Sequence, residues 1–282
     1  MNKNYGKLIG VVFLLFLFIF FISKVFLGNL ILPQSFSLGG LTVRFYGLIL
    51  ALAVGAAYLF AVKRSSKYSI SESQAENIIF VVLISGFVGA RLYHVFSSLG
   101  YYFQNFIEIF QVWHGGLSIY GAVLGSLFGL VLFVKSLSTV LNWLTPSLLL
   151  GQIIGRFGNF FNYEAFGYPT NLPWKMFVPE TFRPENFLQS SFFHPWFLYE
   201  VLFNLLILFI VLKLEKRVNF KSLFFTYFLL YNAVRLCLEF LRIDSTFIGS
   251  FRLNFVVSLI LAIGSLIILA KGSFRIDKTY KT

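Results

Sequence analysis

Gly155-Arg156-Phe157-Gly158-Asn159-Phe160-Phe161-Asn162-Tyr163-Glu164-Ala165-Phe166-Gly167 closes a long apolar run with an arginine, two asparagines and a glutamate. Unpaired polar groups are costly in hydrocarbon, so residues of these types at the end of such a run need partners or a task. The run is one of eight, at roughly 8–26, 45–62, 77–97, 117–135, 146–163, 196–212, 222–241 and 253–270. Each is near the roughly 17–25 residues that a helix needs to cross a bilayer.

Composition agrees. Of 282 residues, 58% are hydrophobic and only 12% charged, against about 25% charged in soluble domains. An outer-membrane barrel would alternate apolar and polar residues over segments of about ten, whereas these runs are continuous. The sequence predicts an all-α, polytopic integral membrane helical protein with about eight transmembrane helices. The first run, Leu8 to Phe26, follows Lys3 and Lys7 but exceeds a signal-peptide core, and no small-x-small pattern precedes Lys24. It reads as a retained anchor, giving residues 1–30 as an N-terminal anchor helix and 31–282 as one integral membrane domain.

The 23 Lys+Arg against 11 Asp+Glu lie mostly between spans, so orientation and contact with anionic lipid explain them better than nucleic acid. With a cytoplasmic N-terminus, the inner segments hold Lys3, Lys7, Lys63, Arg64, Lys67, Lys135, Lys213, Lys216, Arg217, Lys221, Lys271, Arg275, Lys278 and Lys281. The outer segments hold Lys24, Arg44, Lys175, Arg183, Arg242 and Arg252, which places both termini inside. The longest loop, Phe166 to Pro195, carries five of the seven prolines and faces outward, with Trp174, Phe182, Phe187 and Trp196 read as interfacial aromatics. Cys237, the single cysteine, reads as a small buried residue within a span.

Polar residues inside the spans are the functional candidates. Tyr46 opens the second span, as an interfacial aromatic or a site residue. Arg91 and His94 share a face of the third, and Arg91 is either satisfied by neighbouring carbonyls or functional. His114, Gly115, Gly116 and Tyr120 start the fourth, where Gly121 and Gly125 form a small-xxx-small pair for packing. Arg156, Asn159 and Tyr163 fall on one face of the fifth, and Glu164 falls off it, so the helix is predicted to end near Asn162 with the glutamate on a turn closed at Gly167. The plain alternative is an Arg156–Glu164 lock between helices. Glu200 and Asn204 pair at i, i+4 in the sixth span. In the seventh, Asn232, Arg235, Glu239 and Arg242 form a polar stripe on which Arg235 and Glu239 can neutralise each other and Arg242 is left over.

Two intramembrane arginines with spare donors suit an anionic guest, because a guanidinium presents a planar fork to phosphate. The most abundant phosphate in a membrane is a phospholipid head group. The sequence has no clustered metal ligands and no nucleotide-binding glycine loop, so no metal or cofactor is expected. A lipid-using enzyme is the inference.

The stretch from Gly155 to Gly167 resembles the signature G-R-x-G-N-F-x-N-x-E-x-x-G of bacterial prolipoprotein diacylglyceryl transferases at every fixed position. Further similarity lies in Tyr46-Gly47-Leu48, in Gly115-Gly116-Leu117 with Gly121, in His194-Pro195 followed by Leu198-Tyr199-Glu200, and in Arg235 through Glu239 to Arg242. The resemblance spans about residues 36 to 270 and leaves the first run outside a seven-span family core. It implies transfer of a diacylglyceryl group from phosphatidylglycerol to the lipobox cysteine of a lipoprotein precursor, in the bacterial plasma membrane. Arg156 would bind the lipid phosphate and Arg235 would hold it or stabilise it as it leaves. Asn159 and Gly167 would shape the head-group pocket, Tyr46 would line it, and Glu239 would orient Arg235, with Arg242 beside them. Many members carry a histidine where this chain has Tyr120. A tyrosine, with an ordinary pKa of about 10, is a poor base at neutral pH, which leaves the thiol proton to Glu164, to His114 or to no dedicated base. The rival readings are a transporter or flippase for an anionic substrate, predicting repeated broken helices, of which the sequence has no matched pair, and a silent lipid-binding scaffold of the same fold.

Overall fold

Helices occupy all eight apolar runs in a computed structural model, which describes residues 3–216 and 222–272. They are α1 (Lys3–Phe26), α2 (Phe45–Arg64), α3 (Glu72–Ser97), α5 (Ile119–Phe133), α6 (Leu137–Asn162), α7 (Trp196–Glu215), α8 (Leu223–Leu238) and α9 (Leu253–Lys271), with a short α4 (Leu99–Gln104) between the third and fourth runs. Among the described residues, six segments, on α2, α3, α6, α7, α8 and α9, are long and apolar enough to cross a membrane. The 15 residues of α5 rise only about 22 Å, short of the roughly 30 Å of a hydrocarbon core. Of the basic residues in the charge count, Arg217, Lys221, Arg275, Lys278 and Lys281 lie outside the described residues. By its contacts the chain forms two compact units.

Among the described residues, one unit comprises 56–148, 215–216, 222–224 and 272. Its central contact is α3 against α5, and glycine decides it. A Cβ on Gly89 would lie 2.4 Å from the Gly121 carbonyl, and one on Gly125 would lie 2.3 Å from the Ser85 carbonyl. The two backbones therefore touch directly, the close approach that small-xxx-small spacing permits. Ser71 starts α3 with a reciprocal capping box to Gln74. Pro146, inside α6, has no N–H to donate to the Asn142 carbonyl one turn earlier. The Tyr68 hydroxyl lies 3.4 Å from that carbonyl and 2.9 Å from Glu215 Oε1, the nearer acceptor for its single proton. The Asn142 side chain meanwhile accepts the backbone N–H of Leu223 at 2.7 Å and of Phe224 at 3.0 Å, capping the start of α8.

Arg91 is explained in the same unit. It is 8% exposed, and its guanidinium donates to the carbonyls of Glu108, Ile109, Gly115 and Gly116. Of the two readings open for it, the structural one is what the contacts describe: Arg91 staples the loop between α4 and α5 to α3.

Among the described residues, the other unit comprises 3–55, 149–214 and 225–271. Three short antiparallel pairs join its helices: β1 (Ser35–Leu38) with β2 (Leu41–Arg44), β3 (Met176–Phe177) with β4 (Phe192–Phe193), and β5 (Phe247–Ile248) with β6 (Phe251–Arg252). The first turns through Gly39 and Gly40, both at positive φ, which a two-residue hairpin of the primed type demands. The loop from Phe166 to Pro195 is more than an interfacial segment. Phe166, Met176, Val178 and Phe193 bury themselves in one cluster with Val25, Phe26, Leu32, Phe160, Tyr163 and Phe197. Its aromatics divide accordingly. Trp174 is 52% exposed, whereas Trp196 is fully buried and Phe182 stacks on Tyr163 at 4.9 Å. Cys237 is exposed on α8, not buried.

Candidate active site

The signature's glycines serve the backbone. Gly158 carries the Tyr46 ring, which would lie 2.8 Å from an added Cβ. Helix α6 ends at Asn162 as predicted, and Tyr163 and Ala165 follow at φ 53° and 52°, left-handed conformations that are uncommon outside glycine. What holds them is packing and hydrogen bonding. The Tyr163 hydroxyl accepts the Leu32 N–H at 2.7 Å, and the Ala165 carbonyl accepts the Phe197 N–H at 3.0 Å. Tyr163 has therefore left the helical face of Arg156 and Asn159, because the helix stops before it. Gly167 then donates to the His194 carbonyl at 2.9 Å, and its missing Cβ makes room for the Leu241 carbonyl, which would stand 2.4 Å away. Any side chain at 167 would drive apart the strands that lead into α7 and out of α8.

These constraints bring arginines from two helices to one carboxylate. Glu200 on α7 is 2% exposed. Arg156 from α6 donates Nη2 to its Oε1 at 3.0 Å and sets Nε 2.7 Å from Oε2, an ion pair off the line of an N–H bond. Arg235 from α8 donates Nη1 to the same Oε1 at 3.0 Å. So Arg156 pairs with Glu200 and not with Glu164, which is exposed and accepts a bond from Asn162 at 3.1 Å. Glu239 is 3.7 Å from Arg235 Nη2, and its other oxygen accepts Ser245 Oγ at 2.9 Å and Asn254 Nδ2 at 3.3 Å.

Arg242 is not left over. Helix α8 stops at Leu238 and a 3-10 turn, Glu239–Leu241, follows, so Arg242 leaves the predicted helical stripe on an extended residue. Its guanidinium takes both oxygens of Asp244, at 2.5 and 2.8 Å. Burial would raise the Asp244 carboxyl, but the hydrogen bonds and charge of Arg242 outweigh it and hold that group below the ordinary carboxylate range. Around these charges stands one ring, the Trp196 indole, with the guanidinium carbons of Arg235, Arg242 and Arg156 at 4.8, 5.1 and 5.7 Å from its centre.

Arg156, Asn159, Gly167, Arg235, Glu239, Arg242 and Tyr46 thus belong to a single unit, together with Glu164. Tyr120 belongs to the other, where it is 49% exposed and packs its ring 6.2 Å from that of Tyr93. His114 is exposed in that same unit. Glu200, read from the sequence only as a partner of Asn204 and part of the resemblance, and Trp196, read as an interfacial aromatic, receive no role at the site from the sequence. The signal for Glu200 is present in its i, i+4 pairing with Asn204, which is 1% exposed beneath it. Chemically, Arg156 is 24% exposed along its side chain and has N–H donors beyond those Glu200 engages, so the cluster offers a cationic edge to an anion.

Arginines from two helices paired on a buried carboxylate place the chain among polytopic helical membrane proteins with a charged functional site within the membrane. The family model described as prolipoprotein diacylglyceryl transferase matches residues 33–271. A phosphatidylglycerol–prolipoprotein diacylglyceryl transferase of Thermotoga maritima is 43% identical over 258 residues, covering 88% of this chain and 87% of the relative. Relatives of the same name from Fervidobacterium nodosum and Thermosynechococcus vestitus are 38% identical over 272 residues (93% of each chain) and 37% over 239 residues (82% of this chain, 89% of the relative). The chain belongs to the prolipoprotein diacylglyceryl transferase family, a family of membrane-embedded enzymes.

Proposed function

We propose that this enzyme moves the diacylglyceryl group of phosphatidylglycerol onto the lipobox cysteine of a lipoprotein precursor. The new bond joins sulfur to the glyceryl carbon, the carbon–oxygen bond to phosphate breaks, and glycerol phosphate departs. The thiol proton is lost and negative charge gathers on the leaving phosphate, so the transition state needs fixed cations beside it. The observation that carries the reading is the convergence of Arg156 and Arg235 on Glu200 from two different helices. In this reading Arg156 binds the phosphate and Arg235 stabilises it as it leaves. Glu239 orients Arg235, Arg242 supplies further positive charge, and Asn159, Gly167 and Tyr46 form the head-group pocket. Tyr120 can donate a hydrogen bond but is a poor base, and the thiol, already a few per cent ionised at neutral pH, loses its proton to Glu164, to His114 or to no dedicated base.

The test is to give membranes containing the protein labelled phosphatidylglycerol and a lipobox peptide. Thioether-linked lipid is the expected product. Its absence from correctly folded protein would sink the assignment and favour a transporter or silent scaffold.

The proposal extends to residues 1–30 as a retained anchor ahead of the transferase domain at 31–282, set in the bacterial plasma membrane with both termini cytoplasmic. The distribution of basic residues between spans supports that orientation. A reporter fused after Thr282 should read cytoplasmic, and a signal from the opposite side would reverse the topology.

A further inference from the structure

We propose that Trp196 is a positioning residue for the head-group site, its indole holding Arg156, Arg235 and Arg242 in register for an anionic phospholipid. The inference rests on the transferase reading above. Three guanidinium carbons lie within 6 Å of the centre of this one ring, at 4.8, 5.1 and 5.7 Å, the range in which a ring quadrupole attracts a cation. The indole is fully buried, so little water screens that attraction. Its orientation is fixed from behind, since Nε1 donates to the Leu238 carbonyl at 2.8 Å.

The partners of each arginine differ in what they use up. Glu200 and Asp244 neutralise charge, but they also occupy the N–H donors that a phosphate would need. An aromatic face attracts the cation without accepting its in-plane N–H bonds. With carboxylates alone, three like charges could be gathered only by filling their donor edges. The indole gathers them and leaves donors for the lipid. Its place at the first residue of α7, one turn before Glu200, lets one helix present both the carboxylate and the ring.

The test is a graded series, Trp196→Tyr, Trp196→Phe and Trp196→Leu, assayed in the full-length protein for transfer from phosphatidylglycerol to a lipobox peptide. KM for phosphatidylglycerol should rise in the order Tyr, Phe, Leu, reaching roughly tenfold for Leu, in keeping with the known ranking of aromatic faces for cations. KM for the peptide should stay within about twofold. A ring that merely fills space would instead lower thermal stability and active fraction without separating the two KM values. Should Trp196→Leu fail to fold, the difference in fluorescence between wild type and Trp196→Phe supplies a second readout. Phosphatidylglycerol added in detergent should shift that difference emission, and phosphatidylcholine should not. Equal KM values across the series, or no lipid-dependent shift, would overturn the inference. No transfer by the wild type would instead overturn the transferase reading and leave the fluorescence result to stand by itself.

Discussion

Arg156→Lys is expected to lower diacylglyceryl transfer by at least about a hundredfold, the usual loss when one preorganised charge donor is taken from a transition state, while expression and melting temperature stay near wild type. Arg156 now divides its planar fork, with Nε and Nη2 on the two oxygens of Glu200 and the remaining donors outside that pair. A lysine ammonium is a single point. It can satisfy Glu200 or a lipid phosphate in good geometry but cannot span both. Charge is conserved, so the fold keeps most of its electrostatic compensation, and the loss should fall on kcat with phosphatidylglycerol in excess. Initial rates at saturating lipid, set beside a thermal melt of the same preparation, measure it. Wild-type turnover would show that Arg156 serves only to tie α6 to α7.

The spans are legible because hydrophobic length is a local property, and the end of α6 is legible because Glu164 falls off the face shared by Arg156 and Asn159. The α3–α5 contact can be read from Gly89, Gly121 and Gly125, since small residues at one-turn spacing have few other uses in lipid. The partner of Arg156 is a different matter. Glu164 lies eight residues away along the chain and Glu200 lies 44 away, and nothing in helical periodicity ranks a distant carboxylate over a near one. Trp196 misleads for a related reason. A tryptophan just after His194-Pro195 at the edge of a span looks like an interfacial anchor, and only in space does it become a buried ring, bonded to the Leu238 carbonyl at the end of α8 and set among three arginines. Arg242 follows the helical stripe in sequence and leaves it in space, because α8 tightens into a 3-10 turn three residues earlier.

Glu200→Gln should be the most destabilising single change at this site. Two guanidiniums converge on a carboxylate that is 2% exposed, and the partner side chains are themselves only 24% and 12% exposed. Glutamine keeps the shape and one acceptor but removes the negative charge, leaving two cations facing each other where water cannot dilute their repulsion. Breaking a buried pair in this way costs roughly 3–5 kcal/mol, enough to remove a large part of the stability of an ordinary domain. The measurements are melting temperature in detergent and the yield of folded protein. A wild-type melt would show that the arginines are compensated elsewhere and that Glu200 is incidental. The cause can be isolated by adding Arg235→Gln to Glu200→Gln. If uncompensated charge is what destabilises the single variant, the double variant should recover part of the lost melting temperature, because coupled neighbours depart from additivity by about 0.5–3 kcal/mol. A packing defect at position 200 would instead make the second substitution add to the first. The same double variant should remain inactive, because the charge that restores balance by leaving is the one the departing phosphate needs.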